Sequence, residues 1–253
     1  MTRNIISCCP ASYGKFKDKM YEHLAKIGVS HVELPMPKIQ DVKNIIKKLE
    51  VYGLSVASIQ APFNIQSKNV VDEFKIPVDV AKKLRAQRIF VSVHAGELDR
   101  KIVYERLREI GDLAAEKSLI VILETHPDLV TNGDVGLQTM KAVNHPNIRI
   151  NYDTANMYYY NEGIDGIEEM KKILEYIEGV HLKDTNGKPK TWYFPTLGEG
   201  IVDFQKIREL LNKRGFYGPF TIEIEGIEGE NLTLTQTLER MEKSVSHLRK
   251  CGY

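Results

Sequence analysis

An α/β chain closed into a single (β/α)8 barrel is what this sequence predicts, and three observations carry the prediction. Short apolar runs rich in β-branched residues alternate with amphipathic stretches of helical period, roughly eight times in 253 residues. Four of the later runs stop on a residue able to ligate a metal: Ile120–Leu123 at Glu124, Ile148–Tyr152 at Asp153, Gly179–Val180 at His181 and Phe220–Ile222 at Glu223. No linker, low-complexity tract or short repeat divides the chain, so residues 1–253 read as one TIM-barrel domain. A doubly wound open sheet is the alternative, but the Gly-rich phosphate turn it would carry after the first strand is absent.

Taken in order, Asn4–Cys8 is the first strand, closed by Cys9-Pro10. Tyr13–Ile27 has Phe16, Met20, Leu24 and Ile27 at helical spacing, with Gly28 as a cap. His31–Leu34 is the second strand, Ile39–Val51 a helix ended by Gly53, and Leu54–Ile59 the third strand with Gln60 at its tip. After the loop 61–68 comes a helix that Pro77 should bend or break. Arg88–Val93 is the fourth strand and His94 its end. Leu98, Ile102, Leu107, Ile110 and Leu113 mark the face of a long helix, and the fifth strand stops at Glu124. A short helix at Asp134–Val143 precedes the sixth strand, and one at Ile164–Ile177 precedes the seventh, Gly179–Leu182. Asp184–Asp203 is irregular and longer than a plain connection requires, a length usually reserved for function. Phe204–Lys213 is helical and ends at Gly215, and Phe220–Ile224 is the eighth strand. Leu234, Leu238, Met241, Val245 and Leu248 form the stripe of the last helix.

Composition narrows the function. A formal net charge of +1 leaves no global field to draw in nucleic acid or an anionic membrane, so partners must be recognised locally. Cys8, Cys9 and Cys251 are too few and too badly spaced for a disulfide framework or a zinc knuckle, which suggests reduced thiols and a cytoplasmic protein. Cys8 and Cys9 project to opposite faces of the first strand and are read as packing. The N-terminal Met1–Ser7 lacks the apolar run of a signal peptide, and no later stretch approaches the ~18 apolar residues of a membrane span. A small-molecule partner and, at most, a homo-oligomer are expected.

In a barrel the C-terminal ends of all strands ring one mouth. Glu124, Asp153, His181 and Glu223 are then neighbours around half of it, although any one alone can be a helix cap or a solvated group. Carboxylates with one imidazole suit Mn²⁺, Mg²⁺, Co²⁺ or Zn²⁺. His94 at the fourth strand end reads as a substrate contact or a satisfied rim histidine. Lys183 and Asp184, which extend the seventh strand, read as substrate contacts or as groups that orient His181. Trp192, the only tryptophan, either closes the mouth over a bound ligand or serves as a dimer contact. Tyr158–Tyr160 are assigned to packing or an oligomer surface, and His126 to the loop.

Glu124-Thr-His, Asn151-Tyr-Asp-Thr-Ala-Asn156, Val180-His-Leu-Lys-Asp184, Leu197-Gly-Glu-Gly200 and Gly218-Pro-Phe-Thr-Ile-Glu223 resemble the xylose-isomerase-like barrel superfamily. The resemblance runs over nearly the whole chain and is densest from Leu119 to Gly226. It implies one divalent metal held by Glu124, Asp153, His181 and Glu223, with Glu124 and Glu223 also forming the acid–base pair on opposite faces of the substrate. Glu225 is the rival for the last ligand, but the family spacing from Gly218 selects Glu223. Asn156 stands where epimerases and the endonuclease branch carry a histidine, and Gly187 where the epimerases carry an arginine. Lys183, Lys188 or Lys190 can substitute for the latter, and Asn156 is retained as a substrate contact.

The expected activity is a sugar isomerase or epimerase that removes a proton α to a carbonyl through a metal-stabilised enediolate. A dehydratase of a keto-polyol, of the inosose or dehydroshikimate type, is the alternative. An abasic-site nuclease and a non-catalytic partner subunit fit less well: the near-neutral charge and Asn156 oppose the first, and the intact ligand set opposes the second.

Overall fold

The computed structural model describes residues 4–253; the first three residues of the N-terminal stretch read above lie outside it. Eight parallel strands close into a barrel: β1 (Ile6–Cys8), β2 (His31–Pro35), β3 (Ser55–Gln60), β4 (Arg88–Val91), β5 (Ile120–Glu124), β6 (Ile148–Asp153), β7 (Ile177–Leu182) and β9 (Phe220–Ile222). Two short antiparallel strands, β8 (Tyr193–Phe194) and β10 (Gly226–Ile227), pair beside it. The barrel strands read as unbroken apolar runs because both faces are covered, by side chains filling the interior and by helices outside. Val121, Ile122 and Leu123 are buried to 1% exposure or less, each such aliphatic contributing about 1.5–3 kcal/mol relative to exposure.

Glycine is required at position 179 for lack of room. A Cβ there would press on Ile122 Cδ1 and on the Asn151 side chain, which fills the barrel interior beside it. The register then sets the mouth. Asp153 is the direct partner of His181, and Leu182 of Ile222, which places Glu223 next along the rim.

Several elements differ from the sequence reading. The first helix is α-helical only over Met20–Lys26; Pro10–Lys19 forms 3-10 turns interrupted at Gly14 and Phe16. Pro77 does break its helix, as expected: the helix divides at Phe74 into Val70–Glu73 and Lys75–Leu84, because Pro77 has no N–H for the carbonyl of Glu73 four residues back and its ring crowds that oxygen. The helix expected over Ile164–Ile177 spans Gly166–Ile173, a 3-10 turn follows, and Ile177 already belongs to β7. An unforeseen short helix, Asn156–Tyr160, follows Asp153 directly. β4 ends at Val91, so His94 sits in the loop beyond it. Glu223 likewise follows the last residue of β9, its backbone still tied to Leu182 O at 3.1 Å.

Candidate metal centre at the barrel mouth

One ligand atom from each of Glu124, Asp153, His181 and Glu223 lies within 4.8 Å of the other three, so the strand ends converge as expected. Asp153 and His181 are fully buried and Glu223 is 8% exposed. Asp153 divides its carboxylate between two tasks. Oδ1 accepts the backbone N–H groups of Ala155 and Asn156, at 2.9 Å each, at the start of the short helix. Oδ2 points into the cluster. Glu124 accepts a hydrogen bond from Asn156 Nδ2 at 3.2 Å.

The donor set fits a divalent cation. Asp153 Oδ2, His181 Nδ1 and Glu223 Oε2 are buried; the Lys183 ammonium meets the two carboxylate atoms and Nδ1 lies 3.1 Å from Glu223 Oε2. Yet with Glu124 the cluster gathers three carboxylates around that one ammonium, a surplus of buried negative charge that a divalent cation would balance. Three carboxylates and one imidazole form a hard-to-borderline set open to Mn, Mg, Co or Zn. Lys183 brings an ammonium to the edge of the cluster. Its ammonium donates to Glu225 Oε2 at 2.8 Å and forms ion pairs with Asp153 Oδ2 (3.0 Å) and Glu223 Oε2 (2.8 Å). Glu225 therefore lies outside the ligand cluster and holds Lys183 in place.

Charge differs across the cluster. Burial, with the neighbouring Glu223 and Asp153 charges, pushes Glu124 up to about 7. Burial would raise Glu223 as well, but Lys183 and His181 outweigh it and hold Glu223 well below the usual carboxylate range. His181 is held well above the usual imidazole value, because Glu223 and Glu33 outweigh the cost of burying its charge.

Around the Glu124 side stand two imidazoles and a phenol. His94 is exposed and meets His126 edge-on, with ring centroids 4.5 Å apart. His126 Nδ1 lies 2.7 Å from the Pro127 carbonyl, an acceptor only, so this nitrogen carries the proton. Its Nε2 then accepts from Tyr160 O–H at 2.6 Å. Tyr160 thus belongs to the mouth and not to general packing.

On the opposite side, residues 185–203 form a pinned wall. β8 pairs with β10, Lys190 N–H donates to Tyr159 O, and Glu228 N–H donates to Trp192 O. The inner aromatic is Phe194, 2% exposed, with the Lys183 ammonium 5.1 Å from its ring centre. Trp192 is 43% exposed and packs edge-on against Phe194 and Tyr159, one layer out.

Asp184 neither orients His181 nor faces a substrate. Its buried carboxylate accepts the N–H groups of Thr185, Gly198, Gly200 and Val202 at 2.8–3.1 Å, folding the wall back on itself. A side chain at Gly200 would collide with that carboxylate. The group that meets His181 from behind is Glu33 of β2, at 2.9 Å from Nε2, which the sequence reading passed over. A charged residue inside the apolar run His31–Leu34 was the available signal. Cys9, read as packing, is buried with its thiol 3.9 Å from Glu223 Oε1.

Residues 21–251 match the family model described as xylose isomerase-like TIM barrel. An inosose dehydratase from Geobacillus thermodenitrificans is 25% identical across 93% of this chain and 90% of its own length. Among solved structures, a D-allulose 3-epimerase from Methylomonas sp., in complex with D-allulose, superposes with a TM-score of 0.77 at 19% identity, covering 99% of this chain and 98% of that one. The IOLI protein, with a bound zinc atom, gives 0.76 at 17% identity, with 96% and 97% coverage.

Proposed function

The chain belongs to the xylose isomerase-like TIM barrel family, and from that premise we propose that it is a divalent-metal-dependent isomerase or epimerase of a small polyhydroxylated carbonyl compound. The whole chain acts as one barrel unit, with the ion held by Glu124, Asp153, His181 and Glu223. One observation carries the reading: two glutamates flank a ligand cluster in different surroundings, Glu223 between His181 and Lys183 and Glu124 against the neutral amide of Asn156. Divergent environments for paired titratable groups are the mark of acid–base division of labour. The zinc in the IOLI protein and the D-allulose in the epimerase structure support the ion and the substrate class.

A divalent ion held by Glu124, Asp153, His181 and Glu223 would supply Lewis-acid stabilisation of the negative charge that develops at the substrate carbonyl as the neighbouring carbon loses its proton. The protein residues do the rest. Glu223, ionised and buried between His181 and Lys183, takes the proton α to the carbonyl. Glu124, on the other flank of the cluster, returns one from the other side. Return to the same carbon inverts it; return to the adjacent carbon isomerises the compound. Lys183, fixed by Glu225, and Asn156, fixed on Glu124, are placed to bind substrate hydroxyls. His94 meets the substrate from the rim, and Trp192 with Phe194 shields the pocket from water.

A dehydratase is the second reading, favoured by the inosose dehydratase match over nearly the full length of both chains. The two readings part after proton removal. In a dehydratase, the bond from the next carbon to its hydroxyl breaks, and Glu124 or the Tyr160 phenol supplies the proton that leaves in water.

The test is incubation of metal-loaded protein with D-allulose and with inosose in D₂O. Deuterium incorporation with an epimerised or isomerised product supports the first reading. Loss of water, seen by mass, establishes the second. Absence of both over a broad keto-sugar panel, together with chelator-sensitive cleavage of abasic-site DNA, overturns them both.

A further inference from the structure

We infer that Glu33 is the positioning residue that fixes His181 as a metal ligand; the inference rests on the metal-centre reading above. Glu33 is fully buried on β2, on the part of the barrel that supplies no ligand. Its carboxylate collects three donors: Ser58 Oγ at 2.6 Å, Gln60 Nε2 at 2.9 Å and His181 Nε2 at 2.9 Å.

The first two partners come from β3 and fix the carboxylate. Glu33 and Ser58 are register partners, brought opposite each other by an irregularity between Val32 and Glu33. The third contact spans the barrel interior from β2 to β7. Phe90 of β4 stacks on the His181 ring, with centroids 4.7 Å apart and planes 28° from parallel, so ring tilt is also held.

The chemical consequence concerns the tautomer. An imidazole ligand must offer a lone pair from one nitrogen and keep its hydrogen on the other. With the proton held on Nε2 by Glu33, the lone pair belongs to Nδ1, the ring atom that faces the ligand cluster 3.1 Å from Glu223 Oε2. Carboxylate partners of this kind orient the ring and raise its basicity, and their loss typically weakens metal binding about 10–100-fold. β2 and β3 thus contribute to the centre through Glu33, and β4 through Phe90, neither of them among the four candidate ligands.

The experiment measures the dissociation constant of Mn²⁺ and of Zn²⁺ alone, by calorimetry, for the full-length wild-type protein and Glu33→Gln, with thermal unfolding in chelator as a control on folding. Both metals should bind Glu33→Gln about 10–100-fold more weakly, while the melting temperature in chelator stays within a few degrees of wild type. Nitrogen-15 spectra of the His181 ring, taken on metal-free protein at a pH high enough for the ring to be neutral, should show the proton on Nε2 in wild type and a tautomer mixture in the variant. Unchanged affinity and an unchanged tautomer in a folded Glu33→Gln overturn the inference while leaving the metal reading intact. Should Glu33→Gln fail to fold, the Ser58→Ala, Gln60→Ala double variant replaces it. That protein keeps the carboxylate but frees it, so several-fold weaker binding is expected and equal binding overturns the inference. If the wild-type protein binds neither metal, the metal reading falls first and the role of Glu33 with it.

Discussion

Glu124 and Glu223 occupy equivalent strand ends on the two flanks of one ligand cluster, and their surroundings give them opposite preferences. Glu223 lies between His181 Nδ1 (3.1 Å) and Lys183 Nζ (2.8 Å). Glu124 has one neutral donor, Asn156, and the flank beyond it carries His94, His126 and Tyr160. His126 is kept neutral chiefly by burial, with His94 acting in the same direction. Burial alone therefore does not decide a carboxylate's character. What decides it is whether cations were buried alongside.

The largest expected effect comes from the glutamates themselves. With metal saturating, Glu124→Gln and Glu223→Gln should each lose about 10²–10⁴-fold in turnover, because an amide coordinates but does not carry a proton. They should separate in stability. Glu223→Gln leaves His181 and Lys183 short of a counter-charge and should unfold at a lower temperature in chelator, whereas Glu124→Gln should not. Equal melting temperatures for the two variants would remove the claimed asymmetry. Next in size, Asp153→Ala should release the metal by more than the about 10–100-fold typical of outer partners, and Asp153→Asn should recover with excess metal. Unchanged metal content in Asp153→Ala would exclude Asp153 from the site.

Asp184→Ala tests the wall on the Lys183 side without touching a ligand. Four backbone N–H groups lose an ionised acceptor, costing on the order of 3 kcal/mol, or roughly 6–12 °C in melting temperature for a chain of this size. Trp192 emission should shift red, since Trp192 is tied to this segment; a wild-type spectrum with wild-type stability would show the anchor to be dispensable.

The smallest effect is a pH slope. Glu124 is raised from 4.5 to about 7 in the fold, so between those values the folded protein binds more protons than the unfolded chain. Stability is then full below pH 4.5 and declines towards pH 7. Glu223, depressed in the fold, acts with opposite sign and only below pH 4.5. Denaturant titrations of metal-free protein between pH 4.5 and 7 should show a decline that is shallower in Glu124→Gln. Parallel slopes would mean that Glu124 is not the group that resists ionisation.

The sequence by itself determined the barrel and the convergence of four candidate ligands at its mouth, because both depend on local rules. Apolar runs flanked by turn residues define strands, parallel strands end at one mouth, and the last residue of each run is then fixed there: Glu124, Asp153, His181, Glu223. Turn detail was less legible. Pro77 divides its helix at Phe74 as its chemistry requires, but Tyr13–Ile27 shows helical spacing that Gly14 and Phe16 do not obey. What only the tertiary structure decided was which polar groups meet across the barrel. Glu33 reaches His181 over 148 positions of sequence, and Tyr160 reaches His126 from a helix no pattern announced. Asp184 looked like a site residue because it follows His181 and Lys183, yet β7 ends at Leu182 and the chain turns there. Its carboxylate consequently faces the backbone of residues 198–202. Alternation along a strand predicts facing only while the strand lasts, and hydrogen bonds between distant segments depend on a closure that no local window contains.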